Sequence, residues 1–532
     1  MDAALAWVSA FNQTKVKIPP KYSMNGSAQE LYVQDTLAID SVGNPTTPTR
    51  PANSRSAFTR HVVMFSLANL CALVGNGILT FLLPRLLSME SYGYYRLFLL
   101  YGGFAGVLHL GLLDGTLIRW AARPRSRMKA ELLSSLIFLL LLHLLLLTPV
   151  VAVLLTSFRH EPWFFLAVAI VLYALVWNTA SMGQFALQAE KSFGWLSALT
   201  VLNPALLLAS VLVIRHWGRL NLDVVLAAAV AAWLVAGLAI WAVLLSRHHG
   251  RFPGLLQVWR IGAYNVKIGC SVLLALLLTN IVLSLDRLVV SVSFSIRDFA
   301  IYSLAANALA VVNTIILSIS RVVFPYLSDP AGSELKIRAY AQGEAMLMAL
   351  WALGLAAYFP LRALIEWLLP DYVSSLPILR LLLLATGMTA TIYILHANYF
   401  RSALQQGKLL LGVSIGLLAA ALFLLIARRS GDLVNMAWAM LAAIAVWWIA
   451  DEILLRELTR RGPLEIARTL FFTAACCASL LGAARVPNPW LAALAYCSVA
   501  AALTVISYRT NLKALPFSRQ FYPTIPDFGS SE

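Results

Sequence analysis

Long uninterrupted apolar runs constrain this chain more than any other feature. Residues 130–157 and 409–427 carry almost no charge, and each is long enough to cross about 30 Å of hydrocarbon as a helix. Backbone groups inside a bilayer must be satisfied within the chain, which leaves only helices or a closed barrel. Barrel strands read as short alternating segments, and these runs do not alternate. The composition agrees: 60% of the 532 residues are hydrophobic and 12% are charged, against roughly 25% charged in soluble domains. The expected fold class is an all-α membrane protein.

About fourteen spans are expected, near 58–84, 92–118, 131–157, 162–188, 195–215, 221–246, 265–292, 298–328, 338–360, 376–399, 409–427, 433–455, 465–485 and 489–508. Residues 1–57 are rich in Pro, Ser, Thr and Asn and read as a disordered cytoplasmic tail. Residues 509–532 read as a second cytoplasmic tail. Asp2 and the lack of a preceding basic residue make the start a poor signal peptide.

The net charge of +16 is explained by loops, not by nucleic acid. Arg119, Arg123, Arg125, Arg127 and Lys129 fall in one loop. Arg247, Arg251, Arg260 and Lys267 fall in another, and Arg456, Arg460, Arg461 and Arg468 in a third. Loops of the other parity hold only Arg85, Arg159, and Arg215 with Arg219. The excess of basic residues on one side predicts that both termini are cytoplasmic. The five cysteines lie in apolar runs and read as small hydrophobes. His248 and His249 lack partner ligands nearby in sequence, so no metal, disulfide or cofactor is expected.

Two short matches suggest an internal duplication. Ser88–Leu97 and Ser295–Leu304 share Ser, Tyr and Leu, with an aromatic at Tyr92 and Phe299. Ala186–Lys191 is echoed by Ala403–Lys408. Both pair a helix with the one six later. Six is even, so the halves share one orientation, as in transporters built of parallel repeats around a central site. The expected architecture is two six-helix lobes, 58–247 and 248–460, around a central cavity. Two additional helices at 461–508 complete it.

Polar residues recur on single helix faces. Helix 1 carries Asn69, Asn76 and Thr80. Helix 4 carries Ser181, Gln184, Gln188 and Ser192. Helix 7 carries Asn280, Ser284, Arg287 and Ser291, and helix 8 carries Ser303, Asn307, Thr314, Ser318 and Arg321. Such faces turn toward neighbouring helices or a wet cavity. Packing hydrogen bonds account for Ser and Thr; charged groups at depth call for more. The candidate substrate-binding residues are Arg96, Arg119, Arg287, Arg321, Asn76, Gln184, Gln188, Asn280 and Asn307. Snorkelling toward the surface is the plain alternative for Arg96 and Arg119. Asp114 and Asp286 are candidates for ion coupling. Asp286 and Arg287 are adjacent and should not face each other on a helix, so each needs its own partner. Glycines along helix 2 should permit close packing.

Leu82–Arg96, His109–Gly115 with Arg119, Asp286–Leu288, Tyr302–Ser303, Phe324–Ser328 and Leu369–Val373 before Pro377–Arg380 together resemble a known group. It is the O-antigen and exopolysaccharide (Wzx-type) flippase branch of the multidrug/oligosaccharidyl-lipid/polysaccharide exporter superfamily. Ala300 stands where a Gly is common in the second repeat. The resemblance implies a non-enzymatic transporter of the bacterial inner membrane. It implies translocation of an undecaprenyl-diphosphate-linked oligosaccharide from the cytoplasmic to the periplasmic leaflet, by alternating access. Membrane lipids and the polysaccharide polymerase machinery are the implied partners, and a monomer suffices because the site lies within one chain. Alternatives are another exporter of the superfamily (a peptidoglycan-precursor flippase or a drug/cation antiporter), or a membrane glycan ligase or polymerase.

Overall fold

A computed structural model describes residues 54–121, 128–161, 163–218, 220–247, 252–309, 312–317, 319–320, 323 and 333–513. Among these, thirteen helices are long and apolar enough to cross a membrane, and a bent helix pair makes a fourteenth span. Each of the fourteen expected spans meets a candidate span among the described residues, the second as the bent pair and the eighth as far as Leu317.

The first six are α1 (Ser54–Leu86), the broken α2, α3 (Met128–Ser157), α4 (Phe164–Ala189), α5 (Phe193–His216) and α6 (Leu222–Arg247). They pack mainly on one another, α1 on α5, and α4 on α6 and α3. After α7 (Leu255–Ser293) and α8 (Ile296–Ala308) come α9 (Ser333–Gly354, continued by Tyr358–Leu368) and α10 (Leu376–Thr391, continued to Ser402). Then follow α11 (Gln406–Ala427), α12 (Leu433–Thr459), α13 (Pro463–Ala483) and α14 (Pro489–Lys513). The α13–α14 pair leans on α9. Large apolar side chains such as Leu144, Leu145, Leu418 and Ile506 remain exposed. They face where hydrocarbon would lie, since a bilayer imposes no cost on an outward Leu.

The duplication is visible in backbone geometry. Ser88 caps α2 and accepts a bond from the Ser91 amide; Ser295 caps α8 and accepts one from the Asp298 amide. Each hydroxyl satisfies one of the orphan donors of its helix start. The second sequence match is out of register by four residues. α4 and α10 end alike, with Lys191 at φ 58° and Leu404 at φ 56°. A wide turn closes each end, from Ser192 N to Leu187 O at 2.9 Å and from Gln405 N to Phe400 O at 2.8 Å. Lys191 is therefore the counterpart of Leu404, not of Lys408. Apolar helices allow such slips because many registers score alike.

Helix 2 differs from the single span expected. It consists of α2a (Met89–Gly102), a 3-10 turn (Ala105–His109) and α2b (Leu112–Ala121), bent by 61°. Leu110 at φ 48° and Gly111 at φ 83° make the break; glycine adopts that region without steric penalty. Beyond it, α2b crosses α7 at backbone contact. A methyl on Gly115 would strike the Asn265 carbonyl, and one on Gly269 would strike the Gly111 carbonyl.

Helix 7 begins at Leu255, ten residues before its expected start. Arg260 and Lys267 thus lie within the helix, not in a loop. Its first half packs on α2b and α3, its second half on α8, and it also touches α11.

Candidate functional site

A cavity of about 260 Å³ lies between α1, α2a and α8. Asn76 and Thr80 line it from α1, Tyr92, Tyr95 and Arg96 from α2a, and Asn307 and Thr314 from the helix 8 side. Asn307 Nδ2 donates to Thr80 Oγ1 at 2.7 Å, bridging the two halves of the chain.

Arg96 gives this cavity its character. It is 8% exposed, and its Nε has no hydrogen-bond partner. It forms no ion pair among the described residues. Its α2a neighbours Tyr92 and Tyr95 line the same wall. A guanidinium held this way at depth costs a few kcal/mol unless water or a ligand meets it. Arg96 and Arg287, of like charge, act on one another electrostatically.

Arg287 Nη2 donates to the Leu283 carbonyl at 2.9 Å and to Ser284 Oγ at 3.0 Å. Its Nε lies 3.9 Å from Asp286 Oδ1. The two adjacent side chains do meet, contrary to expectation, because Arg287 curls back along the helix while Asp286 turns onto the Arg287 amide. The contact is loose. Asp286 Oδ1 accepts from the Arg287 amide at 2.7 Å, and from α8 Tyr302 OH donates to Oδ2 at 2.9 Å.

The cavity is closed at the end where α2a and α8 begin. Arg297 Nε lies 2.9 Å from Glu90 Oε1. Tyr92 and Tyr372 meet edge to face at 5.7 Å. A methyl on Gly93 would run into Ile296, so the close approach depends on glycine there. Its counterpart in the repeat, Ala300, is fully buried and tolerated.

The remaining candidates lie elsewhere. Arg119 Nη1 donates to Asn265 Oδ1 at 2.7 Å, and its Nη2 to Glu131 Oε1 at 3.3 Å. Asn265 Nδ2 in turn donates to Thr116 Oγ1 at 3.0 Å and Ser135 Oγ at 3.2 Å. Arg119 is thus part of a knot joining α2b, α3 and α7. Gln184 is half-buried and Gln188 exposed on α4, Asn280 is exposed on α7, and Asp114 is half-buried on α2b. None of these lines the cavity, and neither does Arg287. Arg321 and Ser318 lie outside the described residues, as do the chain before residue 54 and after 513.

Two polar clusters escaped sequence reasoning. In the second half, Arg461 Nη1 contacts Glu452 Oε2 at 2.7 Å and Glu344 Oε1 at 2.8 Å. Tyr340 OH donates to Glu452 Oε1 at 2.9 Å, and His396 Nε2 lies 3.1 Å from the same oxygen. His396 Nδ1 faces Asp451 Oδ2 at 3.4 Å. Arg461, counted above as a loop charge, is 6% exposed and serves this network. His396 closes a π-helical turn, Ile392–His396, a rarity that often accompanies function. The second cluster, His109 with His143 and Asn178, sits at the break in helix 2.

The fold resembles that of a lipid II flippase, MurJ, in an inward closed conformation. That chain is 12% identical, with a TM-score of 0.58, and the alignment covers 84% of this chain and 99% of that one. It also resembles an inward-facing multidrug resistance transporter of the MATE family, 16% identical, with a TM-score of 0.54, covering 75% and 96% respectively. Among curated proteins, none matches. The family model described as polysaccharide biosynthesis protein matches residues 58–330. That stretch is more than half of this multi-pass membrane chain, which belongs to the polysaccharide biosynthesis protein family.

Proposed function

We propose that the chain is a flippase carrying an undecaprenyl-diphosphate-linked oligosaccharide from the cytoplasmic to the periplasmic leaflet of the bacterial inner membrane, for O-antigen or exopolysaccharide synthesis. The observation that carries this reading is Arg96: a buried, unpaired guanidinium on a cavity wall. Guanidinium binds phosphate oxygens through paired, charge-assisted hydrogen bonds. Asn76, Asn307 and Thr80 supply the amides and hydroxyl that suit a sugar.

With both termini cytoplasmic, the end sealed by Glu90, Arg297, Tyr92 and Tyr372 is periplasmic, and the cavity takes its substrate from the cytoplasm. Ligand pockets run about 300–1,000 Å³, so the observed space suits a diphosphate or one sugar. The rest of the headgroup needs the halves to part. Outward movement of two negative charges in an inside-negative cell is favoured by roughly 4–5 kcal/mol per 100 mV.

A peptidoglycan-precursor flippase is the second reading, favoured by the likeness to MurJ; its headgroup carries the same diphosphate. Drug/cation antiport fits poorly with a cavity whose unpaired charge is positive. Proteoliposomes test the proposal. Labelled lipid-linked oligosaccharide should reach the far leaflet with the native chain and slow with Arg96→Ala. Equal rates for the two would remove Arg96 from the mechanism. Accumulation of a surface-polysaccharide precursor on gene deletion, rather than lipid II, separates the two flippase readings.

A further inference from the structure

Two buried imidazoles are wired to the break in helix 2. His109 ends the 3-10 turn and is 6% exposed; His143, on α3, is 1% exposed. His109 Nδ1 accepts a hydrogen bond from the Gly111 amide at 3.1 Å, just across the break. Asn178, on α4, donates through Nδ2 to the Ala105 carbonyl at 3.0 Å, and the same nitrogen lies 3.1 Å from His143 Nε2.

These contacts fix protonation states by donor and acceptor logic alone. A carbonyl only accepts, so Asn178 must turn its nitrogen toward Ala105. Its second hydrogen then points at His143 Nε2, which must carry a lone pair. His109 Nδ1 must carry one too, because a backbone amide can only donate. Both imidazoles are therefore neutral here, and each spends its acceptor on a donor tied to the break. His143 acts electrostatically on His109. Among the described residues neither forms an ion pair with a carboxylate. The elements packed against the turn are α3 and α4, and α7 meets Gly111 through the backbone of Gly269 and Cys270. α3 contributes His143, and α4 contributes Asn178. Asp114, in the first turn of α2b, pairs with neither histidine.

We propose that His109 and His143 form a proton-binding site that holds the break in α2 while empty and releases it when one proton binds. A proton on His109 Nδ1 turns an acceptor into a donor facing the Gly111 N–H. A proton on His143 Nε2 does the same to Asn178, which must swing away and leave the Ala105 carbonyl. Either event removes a bond that keeps Leu110 in the left-handed region, a conformation that costs a residue with a side chain roughly 1–2 kcal/mol. The pair takes up one proton, since a second would set two like charges in one apolar pocket. The bend between α2a, which carries Arg96, and α2b, which carries Arg119, thereby becomes sensitive to pH. This inference is independent of the identity of the transported lipid.

Hydrogen–deuterium exchange on the full chain in nanodiscs tests it, from neutral pH to about a unit and a half below the ordinary histidine range of roughly pH 5 to 8, with labelling times scaled for intrinsic exchange. Peptides covering residues 103–115 should exchange roughly tenfold faster, relative to the rest of helix 2, at the acid end. His109→Asn keeps an acceptor, because an Asn oxygen reaches the amide two residues on, but it cannot titrate. In the His109→Asn/His143→Gln double variant the break should stay protected at both ends of the range. His109→Ala should exchange fast at both. Acid-independent protection in the native chain overturns the proposal. So does acid sensitivity that persists in the double variant. If His109→Asn does not fold, His143→Gln alone should reduce the acid response, and an unchanged response counts against the site.

Discussion

Tyr302 OH donates to Asp286 Oδ2 at 2.9 Å, tying α8 to α7 beneath the cavity. Both residues are buried, at 0% and 4% exposure. The bond answers the charge of Asp286 without enlisting a cation from another helix. Arg287 stays on its own helix, on the Leu283 carbonyl and Ser284 Oγ, and leaves Arg96 as the cation on the cavity wall.

Tyr302→Phe should therefore destabilise the protein by about 1–3 kcal/mol, the range for stranding a buried polar partner. Thermal unfolding in detergent measures it. Combining it with Asp286→Asn should recover part of the loss. Strictly additive losses would show that the two side chains do not depend on each other.

Arg96→Met should separate function from stability. Removing an unpaired buried cation relieves a desolvation cost, so the melting temperature should hold or rise. Transport of a diphosphate headgroup should fall about 10- to 100-fold, matching roughly 1.5–3 kcal/mol for a charged hydrogen bond. A variant that melts early and still transports would reverse the assignment.

Gly93→Ala should push α2a away from α8, because the added methyl meets Ile296. The Glu90–Arg297 pair is too exposed to resist, being worth about 0–1 kcal/mol. Spin labels at positions 94 on α2a and 301 on α8, in a chain freed of its native cysteines, should report a longer distance than without the substitution. An unchanged distance would mean that the closure does not depend on this glycine.

Arg461→Met should cost about 3–5 kcal/mol, because Glu344 and Glu452 would be left buried without their cation. Adding Glu344→Gln and Glu452→Gln should return much of it. Failure of the triple variant to recover would mean that Arg461 contributes through packing instead of charge.

The span pattern was legible because every bilayer-crossing helix must announce itself as an apolar run. Ser88 and Ser295 were legible as a repeat because a cap needs a particular side chain at a particular place. Asn76 and Asn307 could be singled out from helix spacing and Arg96 from its charge within an apolar helix, and the structure brings them to one cavity. Gln184, Gln188 and Asn280 share that spacing and stay away from it. Spacing describes a face and does not say which neighbour it meets. The same limit hid the second-half network: His396 and Glu452 stand 56 positions apart, and only the packing of α10 on α12 joins them. Their signal was nonetheless present, as acids and a histidine inside apolar helices. The break in helix 2 was hidden because its glycines serve equally well for close packing.

The crossing of Gly111 and Gly115 with Gly269 has a consequence for genetics. No larger residue fits at Gly115 or Gly269, so missense alleles there should behave as nulls in a complementation screen although they touch no sugar and no phosphate. A map of the transport path drawn only from loss of surface polymer would place these glycines beside Arg96. Immunoblots of protein abundance would redraw it, assigning the glycine alleles to assembly and the arginine allele to passage.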